Sequence, residues 1–139
     1  MTTKTNPKKI ISSGKRKRAV AKAIITEGSG KITLNEKNYA HLPFFDKLRI
    51  DEPLKITEKF LGKTNFDVKI TVNGGGEKGQ IEAARLALVK SILKFSNSPE
   101  LEKAFLEYDR NLLIADVRRK ETCKPGDSKA RKKRQSSKR

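Results

Sequence analysis

The last 22 residues of the chain, Arg118 to Arg139, carry almost nothing that a folded core could bury. They hold eleven lysines and arginines against two acids, and Cys123 and Ala130 are their only hydrophobic residues. Because apolar burial cannot offset its ordering entropy, we predict that this segment is disordered alone in water and needs a polyanion to order it. Fully extended, it would reach roughly 75 Å, at about 3.4 Å per residue.

The charge of the chain is concentrated at its two ends. The formal net charge is +17, of which residues 1–22 supply +8 and residues 117–139 supply +9, while residues 23–116 are balanced. A neutral middle between basic ends is typical of a small domain with nucleic-acid-binding arms; the alternative is that the ends only aid solubility. We predict a flexible N-terminal arm (1–13), a globular domain (14–116) and an extended basic tail (117–139).

Composition excludes several classes of protein. A single cysteine rules out an internal disulfide framework and fits a reducing compartment. No apolar run reaches the ~18 residues that a membrane span requires, and residues 1–22 lack the apolar core of a secretory signal. We therefore expect a protein of a reducing compartment with no membrane partner, although a short organellar targeting segment stays open.

Hydrophobic periodicity predicts an α+β domain. The predicted sheet has about four strands, with helices on one of its faces. The predicted elements are a β-hairpin over 18–35, a helix over 51–61 capped by Asp51 with Pro53 in its first turn, a strand over 66–72, a helix over 80–95, a second helix from Pro99 capped by Ser98, and a short strand over 112–115.

A glycine-rich loop links the best strand to the best helix. Gly74, Gly76 and Gly79 match the spacing of the dinucleotide fingerprint, but the next predicted element is another helix rather than a strand, so that interpretation fails. Two interpretations stay open. The loop is a plain connection, or the backbone of Gly74, Gly75 and Gly76, beside Lys78, binds a nucleic-acid phosphate at the helix N-terminus.

Residue patterns for catalysis or cofactor binding are absent from the sequence. His41 is the only histidine, and Cys123 has no partner base, so we predict neither an enzyme nor a metal site, and no cofactor or small-molecule substrate. Most of the eight Phe and Tyr residues fall on predicted apolar faces. A base-stacking surface is therefore not expected, and recognition should rely on the shape and backbone of folded RNA.

Six sequence segments, in order, resemble the small-subunit ribosomal protein nine family. They are spread along most of the chain, and the last one ends at the Lys-Arg pair. The segments are Gly14 to Lys22; Gly30 to Asn35; Pro53 to Thr57; Gly74 to Gln80 with Ala83, Ala84 and Arg85; Asp116, Arg118 and Glu121; and Lys124, Gly126, Lys129 to Lys132 and Gln135 to Arg139.

The resemblance implies a two-layer α+β sandwich, ribosomal protein S-five domain-two-like, and a structural role in the small ribosomal subunit. It implies binding to the head (3′ major domain) of the ribosomal RNA, contact with neighbouring head proteins, and a tail that reaches the anticodon stem-loop of peptidyl-site tRNA. A bacterial-type ribosome in the cytoplasm is expected, with an organellar ribosome left open. Two departures stand out: Ser136 replaces an aromatic residue, and Thr122-Cys123 replaces a basic pair.

Basic runs at both ends favour salt-sensitive contacts to the RNA backbone. By the resemblance, Lys138 and Arg139 would approach tRNA. The residues expected to bind ribosomal RNA are Lys15, Arg16, Lys17, Arg18, Lys22, Gly74, Gly75, Gly76, Lys78, Arg118, Lys124, Lys129, Arg131, Lys132, Lys133 and Arg134. Two rival functions are a free RNA- or DNA-binding regulator or chaperone, and a nucleotide-dependent enzyme that uses the glycine loop.

Overall fold

A computed structural model describes residues 9–138. Residues 10–112 form one mixed sheet with three helices on one of its faces. The strands are β1 (Ile10–Arg16), β2 (Ala19–Glu27), β3 (Ile32–Leu34), β4 (Lys37–Asn38) and β5 (Phe66–Asn73). The helices are α1 (Phe44–Leu61), α2 (Glu77–Ser96) and α3 (Pro99–Tyr108), with 3-10 turns at Tyr39–His41 and Arg110–Leu112. This confirms the predicted α+β class, with five strands where about four were expected.

The strand order is β1-β2-β5-β3-β4, antiparallel except for the parallel pair β3–β5. The predicted hairpin over 18–35 is therefore wrong. β2 pairs with β1 on one side and β5 on the other, so β3 lies beyond β5. The alternation of apolar and polar residues located β2 and β3, but it could not show which strands pair with them.

β1 extends the sheet into the segment expected to be a flexible arm. Residues 10–13 belong to this strand, and residues 1–8 lie outside the described part of the chain. The inward face of β1 includes Ser12 and Gly14, which give no apolar alternation. These small residues let α2 approach closely, and the Ser12 Oγ donates a 2.7 Å hydrogen bond to the Ala87 carbonyl.

The core lies between the sheet and the helices. β5 turns Phe66, Val68, Ile70 and Val72 inward, as predicted. The central helix α2 packs against β1, β2 and β5, while α1 packs against α2 and α3 packs against α1. On the opposite face of the sheet, alternate residues of β1, β2 and β5 remain open to solvent.

One predicted element boundary and one predicted element are wrong. α1 begins at Phe44 rather than at Asp51, and Pro53 lies inside the helix with its side chain in the core. No strand forms over 112–115, because Leu112 ends a 3-10 turn and is fully buried. The predicted end of α1 at Gly62 and the start of α3 at Pro99 are confirmed, although the Ser98 side chain makes no capping hydrogen bond. Within the described residues, no helix is apolar over a length that could cross a membrane.

The close contact between β1 and α2 predicts a severe effect of Gly14→Ala. A Cβ at Gly14 would overlap the Ala83 carbonyl oxygen and lie 2.7 Å from the Ala87 amide nitrogen, so we expect a loss of about 1–3 kcal/mol or more in the free energy of unfolding. Gly79→Ala, in α2, is the matched control, because its Cβ would make only ordinary contacts with the Arg16 carbonyl oxygen and the Ala19 Cβ, and it should raise stability by up to about 1 kcal/mol. Equal denaturant midpoints for the two variants would contradict the packing.

Candidate nucleic-acid interface

Three separate segments meet at one corner of the domain to form a cleft. They are the turn between β1 and β2, the glycine loop before α2, and the first residues of the tail. We call this surface the basic cleft; its lining residues are Arg16, Lys17, Arg18, Gly75, Gly76, Arg118, Arg119 and Lys120. Six of the eight are cationic and none is acidic, so the cleft presents concentrated positive charge to solvent.

The glycine loop is held directly against the turn. Gly74 and Gly75 have left-handed φ values of 73° and 70°. A Cβ on Gly74 would lie 2.8 Å from the Arg18 carbonyl oxygen, and one on Gly75 would lie 2.8 Å from the Ala19 amide nitrogen. Both glycines are thus required by backbone conformation and close packing, which places Gly76 and the start of α2 beside the cleft.

Lys78 lies outside the cleft that the loop helps to form. Its Nζ donates to both carboxylate oxygens of Asp46 at 2.7 and 2.9 Å, which joins the first turns of α1 and α2. The Asp46 carboxylate is buried, whereas the Lys78 side chain is 65% exposed. Lys78 therefore links α1 and α2, and its contact with a nucleic-acid phosphate stays a prediction.

Arg16 serves as an internal link rather than as an exposed cation. Its side chain is only 17% exposed; its Nε donates to Glu82 of α2 at 2.5 Å, and its Nη1 pairs with Asp116. The hydrogen bond from Arg16 to Glu82 is the main cause that raises the Arg16 pKa. Glu82 also accepts a 3.0 Å hydrogen bond from Arg49 of α1.

Asp116 connects the tail to this internal link. It accepts hydrogen bonds from the Arg118 amide at 2.9 Å and from the Arg118 guanidinium at 2.7–3.1 Å, while it also pairs with Arg16. The hydrogen bonds from the Arg118 side chain, followed by that from its amide, hold the Asp116 pKa well below its usual range. These contacts fix the first tail residues against the cleft.

The open face of the sheet carries a second, sparser group of cations. Lys15, Lys22 and Lys69 are exposed and lie on the face opposite the helices, where Lys22 pairs in register with Ser13 and Thr71. Lys15 and Lys22 were predicted from the sequence. Lys69 was not, because a lysine that alternates with core residues in a strand is most simply read as solvent-facing.

The rest of the tail is irregular and exposed. Arg131 pairs with Glu121 at 2.9 Å, and the Arg134 Nε donates to the Gly126 carbonyl at 3.2 Å, so these two side chains contact the tail itself. Arg139 lies outside the described residues. The remaining predicted tail residues are exposed and do not line the basic cleft: Lys124, Lys129, Lys132, Lys133 and Lys138.

The structure also reveals features that the sequence interpretation missed. Arg119 and Lys120 line the cleft but were not among the predicted site residues. Phe44 and Phe45, which were not predicted to be exposed, are 70% and 74% exposed and meet edge to face at 5.6 Å. Within residues 9–138, no cluster of three or more His, Cys, Asp or Glu side chains is placed to hold a metal ion.

The sequence matches the family model described as Ribosomal protein S9/S16 over residues 14–139. Small ribosomal subunit protein uS9 of Methanococcus vannielii is 45% identical over 116 residues, which are 83% of this chain and 85% of the relative. The protein of the same name from Thermoplasma volcanium is 44% identical over 130 residues, or 92% and 96% of the two chains. A third, from Methanococcus maripaludis, is 44% identical over 127 residues, or 89% and 93%.

The lowered pKa of Asp116 predicts how the attachment of the tail depends on pH. The contacts with Arg16 and Arg118 should be complete above the ordinary aspartate pKa of about 3.9, and should be lost as the pH falls through the lower value in the folded protein. We expect the carboxyl carbon-13 resonance of Asp116, and the amide resonance of Arg118, to titrate together with a midpoint below 3.9. Asp116→Asn is the control that removes this transition; a midpoint at or above 3.9 would contradict the geometry.

Proposed function

We propose that this chain, which belongs to the ribosomal protein S9/S16 family, binds the head of the small-subunit ribosomal RNA through its basic cleft. It is a structural ribosomal protein of the small subunit and not an enzyme. Its cellular place is therefore the ribosome. The expectation of a bacterial-type ribosome is not confirmed, because the relatives named above are archaeal.

The observation that carries the proposal is the charge of the cleft. Lys17, Arg18, Arg119 and Lys120 have no acidic partner within residues 9–138, although acids pair with Arg16 and Arg118 just behind them. Cations grouped without acids repel one another, and a polyanion relieves that repulsion. Phosphates of an RNA backbone supply that charge, with release of counterions from the RNA.

The conformation of Lys17 supports the same assignment. Lys17 has a φ of 53°, a left-handed conformation that glycine adopts without steric cost. A lysine at this position retains some backbone strain and places a positive charge at the tip of the turn. Strain held at a position on a binding surface is typical of a residue kept for function rather than for stability.

The tail extends the proposed interface beyond the domain. Its exposed lysines and arginines have few apolar neighbours to order them, so we infer that RNA phosphates order Lys124 to Arg134 along an extended path. We further propose that Lys138 and Arg139 contact peptidyl-site tRNA at its anticodon stem-loop, and that neighbouring proteins of the head contact the domain.

The direct test of the proposal is RNA selectivity. We expect the full chain to bind a transcript of the 3′ major domain of its small-subunit ribosomal RNA more tightly than an unrelated structured RNA of equal length, in filter binding at 200 mM salt. Purely electrostatic binding falls steeply as salt rises and does not distinguish the two RNAs. Equal affinities would favour a free RNA-binding regulator or chaperone.

Lys17→Gly should separate binding from stability. Glycine relieves the left-handed strain, so the free energy of unfolding should stay unchanged or rise. Loss of one phosphate contact should reduce the slope of log K against log salt by about 0.7–0.9 for the RNA transcript. Lys63→Gly is a surface control that removes the same charge far from the cleft, and an equal loss of slope in that control would contradict a local role for Lys17.

Lys138→Ala combined with Arg139→Ala should leave assembly into small subunits intact, because the domain and the upstream tail still hold ribosomal RNA. The same variant should speed the dissociation of peptidyl-site tRNA severalfold, because two cations at the end of the tail are lost. Lys132→Ala with Lys133→Ala removes the same charge upstream and is the matched control. Equal tRNA lifetimes on subunits carrying the double variant and the unaltered chain would contradict the proposed tRNA contact.

A further inference from the structure

We propose that Asp116 is a positioning residue that builds the tail side of the basic cleft before RNA arrives. The inference rests on the proposed function, because it concerns how the same cleft is formed. Arg118, Arg119 and Lys120 supply three of the six cations in the cleft, and all three are exposed. Arg16, Lys17 and Arg18 carry the same charge and repel them, so an acidic partner is needed to hold the two groups together.

The contacts of Asp116 provide that attachment. Its carboxylate lies between two cations of the cleft, accepting from the Arg118 amide and guanidinium and pairing with Arg16 Nη1. The side chains of Asp116 and Arg16 are each only 17% exposed, whereas Arg118 is 81% exposed. The carboxylate therefore joins a fixed part of the domain to the first cation of the tail.

The attachment continues into the folded domain. Arg16 is held on its other side by Glu82 of α2, and Glu82 also accepts from Arg49 of α1. The last fully buried side chain before the tail is Leu112, and Val117 is 85% exposed. Asp116 is thus the point where the chain leaves the domain and its direction is set.

Preorganisation and simple electrostatics predict opposite effects of removing this carboxylate. Asp116→Asn raises the net charge of the protein by one, and it frees Arg16 and Arg118 from a competing anion. If the cations act only through their charge, RNA binding should strengthen. If Asp116 positions them, binding should weaken, because the residues that follow Asp116 must then be ordered during association.

Asp127→Asn provides the matched control. It makes the same change of charge in the same tail, and the Asp127 side chain makes no hydrogen bond or ion pair within residues 9–138. With the full chain and the 3′ major domain transcript, we expect Asp127→Asn to bind as tightly as the unaltered protein or more tightly. Asp116→Asn should bind roughly tenfold more weakly, comparable to ordering about one additional residue.

The single cysteine allows a second measurement without RNA. Cys123 is exposed and lies three residues after Lys120, so a paramagnetic label on it reports where the start of the tail lies. The unaltered protein and Asp127→Asn should show relaxation enhancement at the amides of Lys17, Gly75 and Gly76, and Asp116→Asn should lose much of it. Asp116→Glu, which keeps the charge, should recover part of both the enhancement and the RNA affinity.

The outcomes distinguish this inference from the proposed function. If Asp116→Asn binds RNA as tightly as Asp127→Asn and keeps the enhancement, the positioning role is wrong while selective RNA binding stands. If the unaltered protein does not select the transcript, the proposed function fails, and the paramagnetic measurement still decides whether Asp116 holds the tail. Circular dichroism melts of each variant establish that the domain is folded at the assay temperature.

Discussion

The basic cleft depends on the two ion pairs of the Arg16 guanidinium, with Glu82 and with Asp116. The guanidinium lies at the end of β1, bonds Glu82 on α2, and pairs with Asp116 where the chain leaves the domain. Sheet, helix layer and tail are therefore joined by one largely buried cation. Without it, Glu82 and Asp116 would remain as carboxylates close to each other, and the tail would leave the domain without a fixed direction.

This arrangement explains how a surface with so much positive charge is held together. Glu82 and Asp116 lie behind the cleft and pair with Arg16. No acidic residue belongs to the lining of the cleft itself. Within residues 9–138, the charges of Lys17, Arg18, Arg119 and Lys120 are therefore not paired with acids. The two left-handed glycines add a steric constraint, since the loop before α2 contacts the turn backbone at a distance that no side chain would permit.

The parts of the fold that sequence could predict are those with a local signal. β5 and α2 have clear hydrophobic periods, and both are confirmed. β1 was missed because Ser12 and Gly14 occupy its inner face and give no apolar alternation. β1 is held in the sheet by pairing with β2 and by contacts with α2, which is distant in sequence. The exposure of Phe44 and Phe45 was missed because the helix start was predicted at Asp51, which left both residues outside any predicted helix.

The residues of the basic cleft also divide into those with a local sequence signal and those set by tertiary contacts. The cations were visible as runs, so most of the cleft lining was predicted, but Glu82 and Asp116 carry no signal that identifies them as partners of Arg16. Their role depends on the tertiary fold. Lys78 was predicted to contact a phosphate because it lies beside the glycine loop, and its pairing with the buried Asp46 is a further tertiary contact that the sequence did not indicate.

Co-sedimentation tests the central claim, that this chain is held in the small subunit by more than non-specific electrostatic contacts. The tagged full chain would be followed through sucrose gradients of a lysate from its host cells, at salt high enough to release proteins held by non-specific electrostatic contacts. We predict that it stays with small subunits after this wash. Its recovery in the free-protein fractions, with the subunits otherwise intact, would contradict the account.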